Sequence, residues 1–206
     1  MDFDHIDTSN EMVKNIIKTS FEVFSKNEYK KASTNLIVQK AKISRGILYH
    51  YFKDKETLFD YLNFYSLQKG VSEVNDYIDW DNSDIIKRVC ELTKYRLDVI
   101  AEYPYMIEFG EKYKDHIFKY ANPTELRDWR ERFFSHNVDY SLFKDELEIK
   151  KMLHIIKWTF RGLYKNLLEK PEVTVSETDI LNLKEECNSY YEILKNNFYK
   201  GGSDDS

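Results

Sequence analysis

Glycine and proline are scarce in this 206-residue chain, at six and three residues, and cysteine is scarcer still at two. So little turn material leaves no room for a series of hairpins, while the long Lys-, Glu-, Leu- and Ile-rich stretches favour helix almost throughout. The expected fold is all-α, with about nine helices. No run of some eighteen apolar residues occurs, and Asp2, Asp4, Asp7, Glu11 and Lys14 interrupt the first thirty positions. Neither a membrane span nor a signal peptide fits that pattern, so no membrane partner and a cytoplasmic location are expected. Cys90 and Cys187 lie in amphipathic stretches, where reduced, buried thiols are the ordinary reading for a cytosolic protein.

Enzyme signatures are missing as well. There is no Gly-x-Ser-x-Gly, no phosphate-cradling glycine loop and no His-Glu-x-x-His. His5, His50, His116, His136 and His154 are scattered, and none pairs with a Cys or another His at metal-ligand spacing. No catalytic residue, cofactor or metal site is therefore expected.

What the chain does have is a local concentration of positive charge. The net charge is −5, yet residues 26–55 carry eight Lys or Arg against two acids. Residues 66–206 carry 21 against 27. A basic segment on an acidic body points to a polyanion partner for that segment alone.

Within it, residues 34–56 read as two short helices joined by a tight turn. Thr34 is a candidate cap for a helix burying Leu36, Ile37 and Ala41. Ser44 repeats the device, and Leu48 and Phe52, four apart, mark the inward face of the second helix. Its opposite face gathers Ser44, Arg45, Gly46, Tyr49 and His50, the composition of a helix that reads DNA. A preceding helix over about residues 9–26 is announced by the capping-box spacing Thr8-Ser-Asn-Glu11 and by Val13, Ile16, Ile17, Phe21 and Phe24.

The run Gly46, Tyr49, Phe52, Lys55 and Glu56 resembles the core pattern of the tetracycline-repressor (TetR) family of bacterial transcription regulators, and the resemblance extends from about Asn10 to Tyr65. It implies a three-helix helix-turn-helix head over residues 1–54 and a ligand-binding and dimerisation body over 55–200; the Gly-, Ser- and Asp-rich residues 201–206 are themselves expected to form a disordered tail. It further implies that Thr34, Tyr49 and Lys55 hold DNA phosphates while Ser44, Arg45, Gly46 and His50 face the groove, where Arg45 can bind guanine bidentately. Two positions depart from the family pattern. Lys42 stands where the turn usually has Gly, so a reshaped turn is expected; Ile47 stands where a small polar residue is common, and can pack on a thymine methyl.

The rest of the chain divides into further helices. One opens at Lys55 and runs toward Ile78, joining head to body. Asn82 or Ser83 is expected to cap a fifth that Pro104 stops; a sixth covers about 104–120, and Asn122-Pro123 starts a seventh. An eighth spans 145–169, ended by Lys170-Pro171. A ninth spans 176–199, with Ile180, Leu183, Cys187, Tyr190 and Leu194 in a 3,4 pattern.

One head reads only a few base pairs, so specific binding calls for two copies on a palindromic double-stranded operator, and a homodimer through residues 145–199 is expected. The aromatic residues of the middle, Tyr95, Tyr103, Phe109, Tyr113, Trp129, Phe133 and Trp158, are the candidate lining of a pocket for a small-molecule effector. Neighbouring Glu102, Glu108 and Glu111 would suit a lipophilic cation, though the same acids serve equally well at a solvated face. The function expected is a dimeric repressor released by its ligand; the alternative is a ligand-independent DNA-binding protein that regulates through protein contacts.

Overall fold

A computed structural model describes residues 3–117, 119–120, 122–168 and 176–201, with only the backbone at 123, 125 and 166–168. Among them the chain is helical, without a β-strand, and nine helices are seven residues or longer. The expected all-α class holds. Residues 202–206 of the expected tail at 201–206, and the stop at Lys170-Pro171, lie outside the described residues.

Helix α1, Glu11–Lys26, buries Val13, Ile16, Ile17, Phe21 and Phe24, the apolar set read from the sequence. Its cap is Asn10, which accepts from the Met12 N–H, rather than a Thr8 capping box. Helices α2, Thr34–Ala41, and α3, Arg45–Tyr51, follow. Helix α4, Lys55–Leu67, is capped by Asp54 and continues through a π-helical segment, Gln68–Ser72, into the short α5, Glu73–Tyr77. The single long helix expected here is thus widened by one wide turn around Gly70.

Helix α6, Ile85–Glu102, is capped by neither Asn82 nor Ser83: the Asp84 carboxylate accepts from the Lys87 N–H. After Pro104 the expected sixth helix is two pieces, α7, Met106–Lys112, and α8, Lys114–Ile117. Helix α9, Pro123–Ser135, starts at proline as read. A 3₁₀ turn at Tyr140–Leu142 precedes α10, Ile149–Leu168, and α11 is Glu177–Phe198, with a true capping box between Ser176 and Asp179.

The chain forms two compact units, one of residues 1–70 with 103–123 and the other of 71–102 with 124–206. In the first, α1 packs against α2, α4 and α7, and Leu48, Phe52, Leu58, Phe59 and Leu62 close the core. Phe3 joins it from the N-terminal segment, its ring 5.2 Å from that of Tyr61. In the second, α6 is the central element, flanked by α10 and α11. Its Arg88 is buried and donates to the carbonyls of Phe133, His136, Trp80 and Asn82, so one guanidinium fastens α9 and the approach to α6. At the same end of α6, Asp84 accepts from the hydroxyls of Tyr199 at 2.7 Å and Tyr191 at 2.8 Å, which secures α11.

Candidate nucleic-acid interface

The geometry of the α2–α3 pair begins with Lys55. Its ammonium donates to the carbonyls of Tyr29 at 2.8 Å and Ala32 at 3.1 Å and sits 4.4 Å from the Tyr29 ring centroid. That fixes the entry to α2, and Ser33, not Thr34, becomes its cap, accepting from the Asn35 N–H at 3.2 Å. Ser33, Thr34 and Asn35 are all competent caps, so sequence alone gave no reason to prefer one. Thr34, freed from capping, places its Oγ1 3.4 Å from the Tyr49 hydroxyl on α3.

The turn keeps a left-handed residue despite lacking glycine. Lys42 has φ 54° and ψ 43°, and the Ile43 N–H reaches the Val38 carbonyl at 3.2 Å in a Schellman closure. Asn15 on α1 donates to the Ala41 carbonyl at 2.8 Å. The expected reshaping does not occur, because these bonds offset a conformational cost of about 1 kcal/mol.

Ser44 caps α3 as read, accepting from the Ile47 N–H. Leu48 and Phe52 are buried, so Arg45, Gly46, Tyr49 and His50 are turned outward and exposed, with Ile47 half-buried beside them. A Cβ built on Gly46 would meet only Ser44 Oγ, at 3.7 Å. Nothing inside the protein therefore requires glycine there, although glycine costs a helix about 1 kcal/mol. What the missing side chain provides is clearance on the outer face. His50 stacks edge-on against Tyr51, and His5 lies 3.3 Å from the Tyr51 carbonyl at the end of α3.

Charge is sorted across this surface. Glu22 accepts from Lys40 at 2.7 Å and Lys26 at 3.0 Å. Burial pushes its carboxyl up, but the two lysine hydrogen bonds prevail and hold it below the usual carboxylate range. Those two cations are spoken for. Lys42, Arg45 and Lys53 are exposed and make no ion pair among the described residues. An exposed guanidinium beside hydroxyls and a bare backbone is suited to phosphate and base-edge contacts.

The seven aromatic residues read as a pocket lining are divided between the two units. Tyr103, Phe109 and Tyr113 belong to the first unit, and Tyr95, Trp129, Phe133 and Trp158 to the second. Phe109 packs on Phe21 and Phe59, Tyr103 accepts from the Tyr65 hydroxyl, and Tyr113 donates to the carbonyls of Phe24 and Asn27. In the second unit Tyr95 donates to Glu73, Phe133 is buried against Trp129, and Trp158 is 69% exposed. The Trp129 indole N–H is buried without a hydrogen-bond partner. None of the seven lines the groove of about 300 Å³ found in this unit, whose walls include Asp84, Leu142, Lys195, Asn196 and Tyr199.

Sequence reasoning missed Lys112, whose ammonium donates to the carbonyls of Phe24, Ser25 and Asn27 at the end of α1. A lysine in a helix that reads as solvated gives no local sign of such a role. Among the described residues no group of three or more His, Cys, Asp or Glu could hold a metal ion, and no helix is long and apolar enough to cross a membrane.

Residues 16–62 match the family of bacterial regulatory proteins described as tetR family. No curated protein matches the chain. Its fold is similar to that of a TetR family transcriptional regulator from Chloroflexus aurantiacus, at 16% identity and a TM-score of 0.57 over 96% of this chain and 97% of that one. It is also similar to the ketosteroid transcriptional regulator KstR2 of Mycobacterium tuberculosis, at 14% identity and a TM-score of 0.62 over 95% and 98%. A third, SCO3833 of Streptomyces coelicolor, has 14% identity and a TM-score of 0.53 over 91% and 90%. All three are described as transcriptional regulators.

Proposed function

We infer that this chain, a TetR-family transcription regulator by its residues 16–62, is a homodimeric cytoplasmic repressor that a small molecule releases from a palindromic operator. The observation that carries the reading is the outward face of α3, where Arg45, Gly46, Tyr49 and His50 stand exposed on a helix anchored by buried Leu48 and Phe52. Arg45 reads a guanine edge, Gly46 admits the groove wall, and Ile47 packs on a thymine methyl. Thr34 and Tyr49 hold the phosphate backbone, and Ser44 and His50 face the groove beside Arg45. Lys55 spends two donors on Tyr29 and Ala32, so its share of the phosphate contact falls to the third.

Support for the dimer comes from α10. Ile155, Trp158 and Gly162 follow one another at i, i+3 and i+7, the two side chains are exposed, and open space lies over the glycine. The effector acts on the body over residues 55–200, within which the chain crosses between the two units at 70/71, 102/103 and 123/124. A ligand that favours one arrangement of the body thereby biases the spacing of two heads that must match half-sites one helical turn apart.

The test is selection of an operator from random duplex DNA, followed by anisotropy titrations with the parent protein and Arg45→Ala. A loss of about 1–3 kcal/mol, with relaxed preference at one base pair, is expected. Equal affinity and equal preference in the two proteins would sink the reading.

A further inference from the structure

The chain has two cysteines, separated by 97 residues in sequence, and the fold brings them into contact. Cys90 stands in the first half of α6 and Cys187 midway along α11, the two helices that pack most extensively in the second unit. Both are free and fully buried, and the Cys90 thiol donates to the Cys187 carbonyl at 3.5 Å. The thiols also interact with each other, and the ammonium of Lys94, one turn along α6, bears on both.

We propose that Cys90 and Cys187 are a peroxide-reactive thiol pair, a modification site that closes to a disulfide joining α6 to α11. The two sulfurs have different parts. A hydrogen bond donated by the Cys187 thiol to the Cys90 sulfur draws the Cys90 thiol below its ordinary range against the effect of burial, with Lys94 assisting, while that same side-chain bond and burial push Cys187 up. Cys90 is accordingly the nucleophile and Cys187 the resolving thiol.

In the first step a sulfur lone pair of Cys90 attacks one oxygen of hydrogen peroxide. The O–O bond breaks, and the departing hydroxide leaves as water with the thiol proton. In the second, the Cys187 sulfur attacks the sulfenic sulfur, the S–O bond breaks, and hydroxide leaves as water with the second proton. Two thiols are oxidised and one peroxide is reduced to two waters. Peroxide is neutral and close to water in size, which suits a pair inside a helical layer. Because the closed loop is long, the linked form should be the more stable one.

The experiment treats the full chain with hydrogen peroxide and maps its peptides by mass spectrometry without reduction. The expected product is a Cys90–Cys187 linked peptide, two hydrogens lighter than its parts, lost on adding dithiothreitol, in a protein that melts above the reduced form. Cys187→Ala should leave Cys90 as a sulfenic acid captured by dimedone, and Lys94→Met should slow linkage several-fold. If the alanine variant does not fold, the parent's peptide map still decides. Free thiols in a large peroxide excess, sulfinic and sulfonic acids without the linked peptide, or linkage only between chains would overturn the assignment.

Discussion

Thr34 Oγ1 and the Tyr49 hydroxyl lie 3.4 Å apart, joining the first turn of α2 to the outer face of α3. Two hydroxyls at that distance form one acceptor-and-donor unit, so a DNA phosphate placed between them would be held by both. We expect Tyr49→Phe and Thr34→Val each to weaken operator binding by roughly 1 kcal/mol, in keeping with a net hydrogen bond. The double variant should lose clearly less than the sum, because the second substitution removes a partner already disabled. Anisotropy titrations over the four proteins measure the coupling, and strict additivity would mean that the hydroxyls act separately.

Lys42 offers a stability test of the turn. Its left-handed backbone, with φ 54°, is imposed by its surroundings, whereas glycine adopts it without strain. Lys42→Gly should therefore stabilise the protein by a few tenths to about 1 kcal/mol, after allowing for the greater freedom of an unfolded glycine. Thermal or urea unfolding reads this directly. A destabilised variant would show that the lysine stem contributes more by packing than its backbone loses by strain.

The same residue shows where sequence reading stops. Leu48, Phe52 and Ser44 were legible because helix periodicity and capping are local rules, and they placed the exposed face of α3 correctly. The turn was not, since what holds Lys42 left-handed includes a bond from Asn15, 26 residues from the carbonyl it reaches. The break between α7 and α8 has a similar origin. Lys112 and Tyr113 both turn their side chains onto the carbonyl end of α1, a long-range demand that no 3.6-residue pattern announces. The aromatic count of the middle region was legible too, but composition cannot say that Tyr103 and Tyr113 satisfy their hydroxyls within a core while Trp158 stands in the open.

Trp158 is the most exposed large apolar side chain among the described residues, at 69%. On α11, Ile180, Cys187 and Leu194 are buried within the chain's own second unit, while Leu181 and Ile193 are exposed. The outer faces of α10 and α11 are thus the candidates for the two-fold contact, with Trp158 the side chain that contributes most. Sedimentation of the parent at micromolar concentration should give twice the 24.8 kDa chain mass, and Trp158→Lys should shift it toward the monomer, because two lysines would face each other across the axis. Operator affinity should fall with it. A parent that sediments as a monomer would remove the dimer from the proposal.

Glu91 on α6 accepts from Lys94 at 2.9 Å and pairs with Lys87 at 3.2 Å. Burial pushes its carboxyl up, yet the hydrogen bonds from the two lysines outweigh it, and the group sits below the ordinary glutamate range. A carboxyl depressed in the folded state binds its proton more weakly there than in the unfolded chain, whose glutamates titrate near about 4.3. Its contribution is therefore complete above that pH and is lost as pH falls through the lower, folded value. Since the pair is partly solvated, Glu91→Gln should cost no more than about 1 kcal/mol at neutral pH. The difference between parent and variant should shrink as pH falls below about 4 and vanish at the acid end. Urea unfolding of both proteins across that range gives the two curves, and a gap that stays constant with pH would mean that Glu91 matters through its shape and not through its charge.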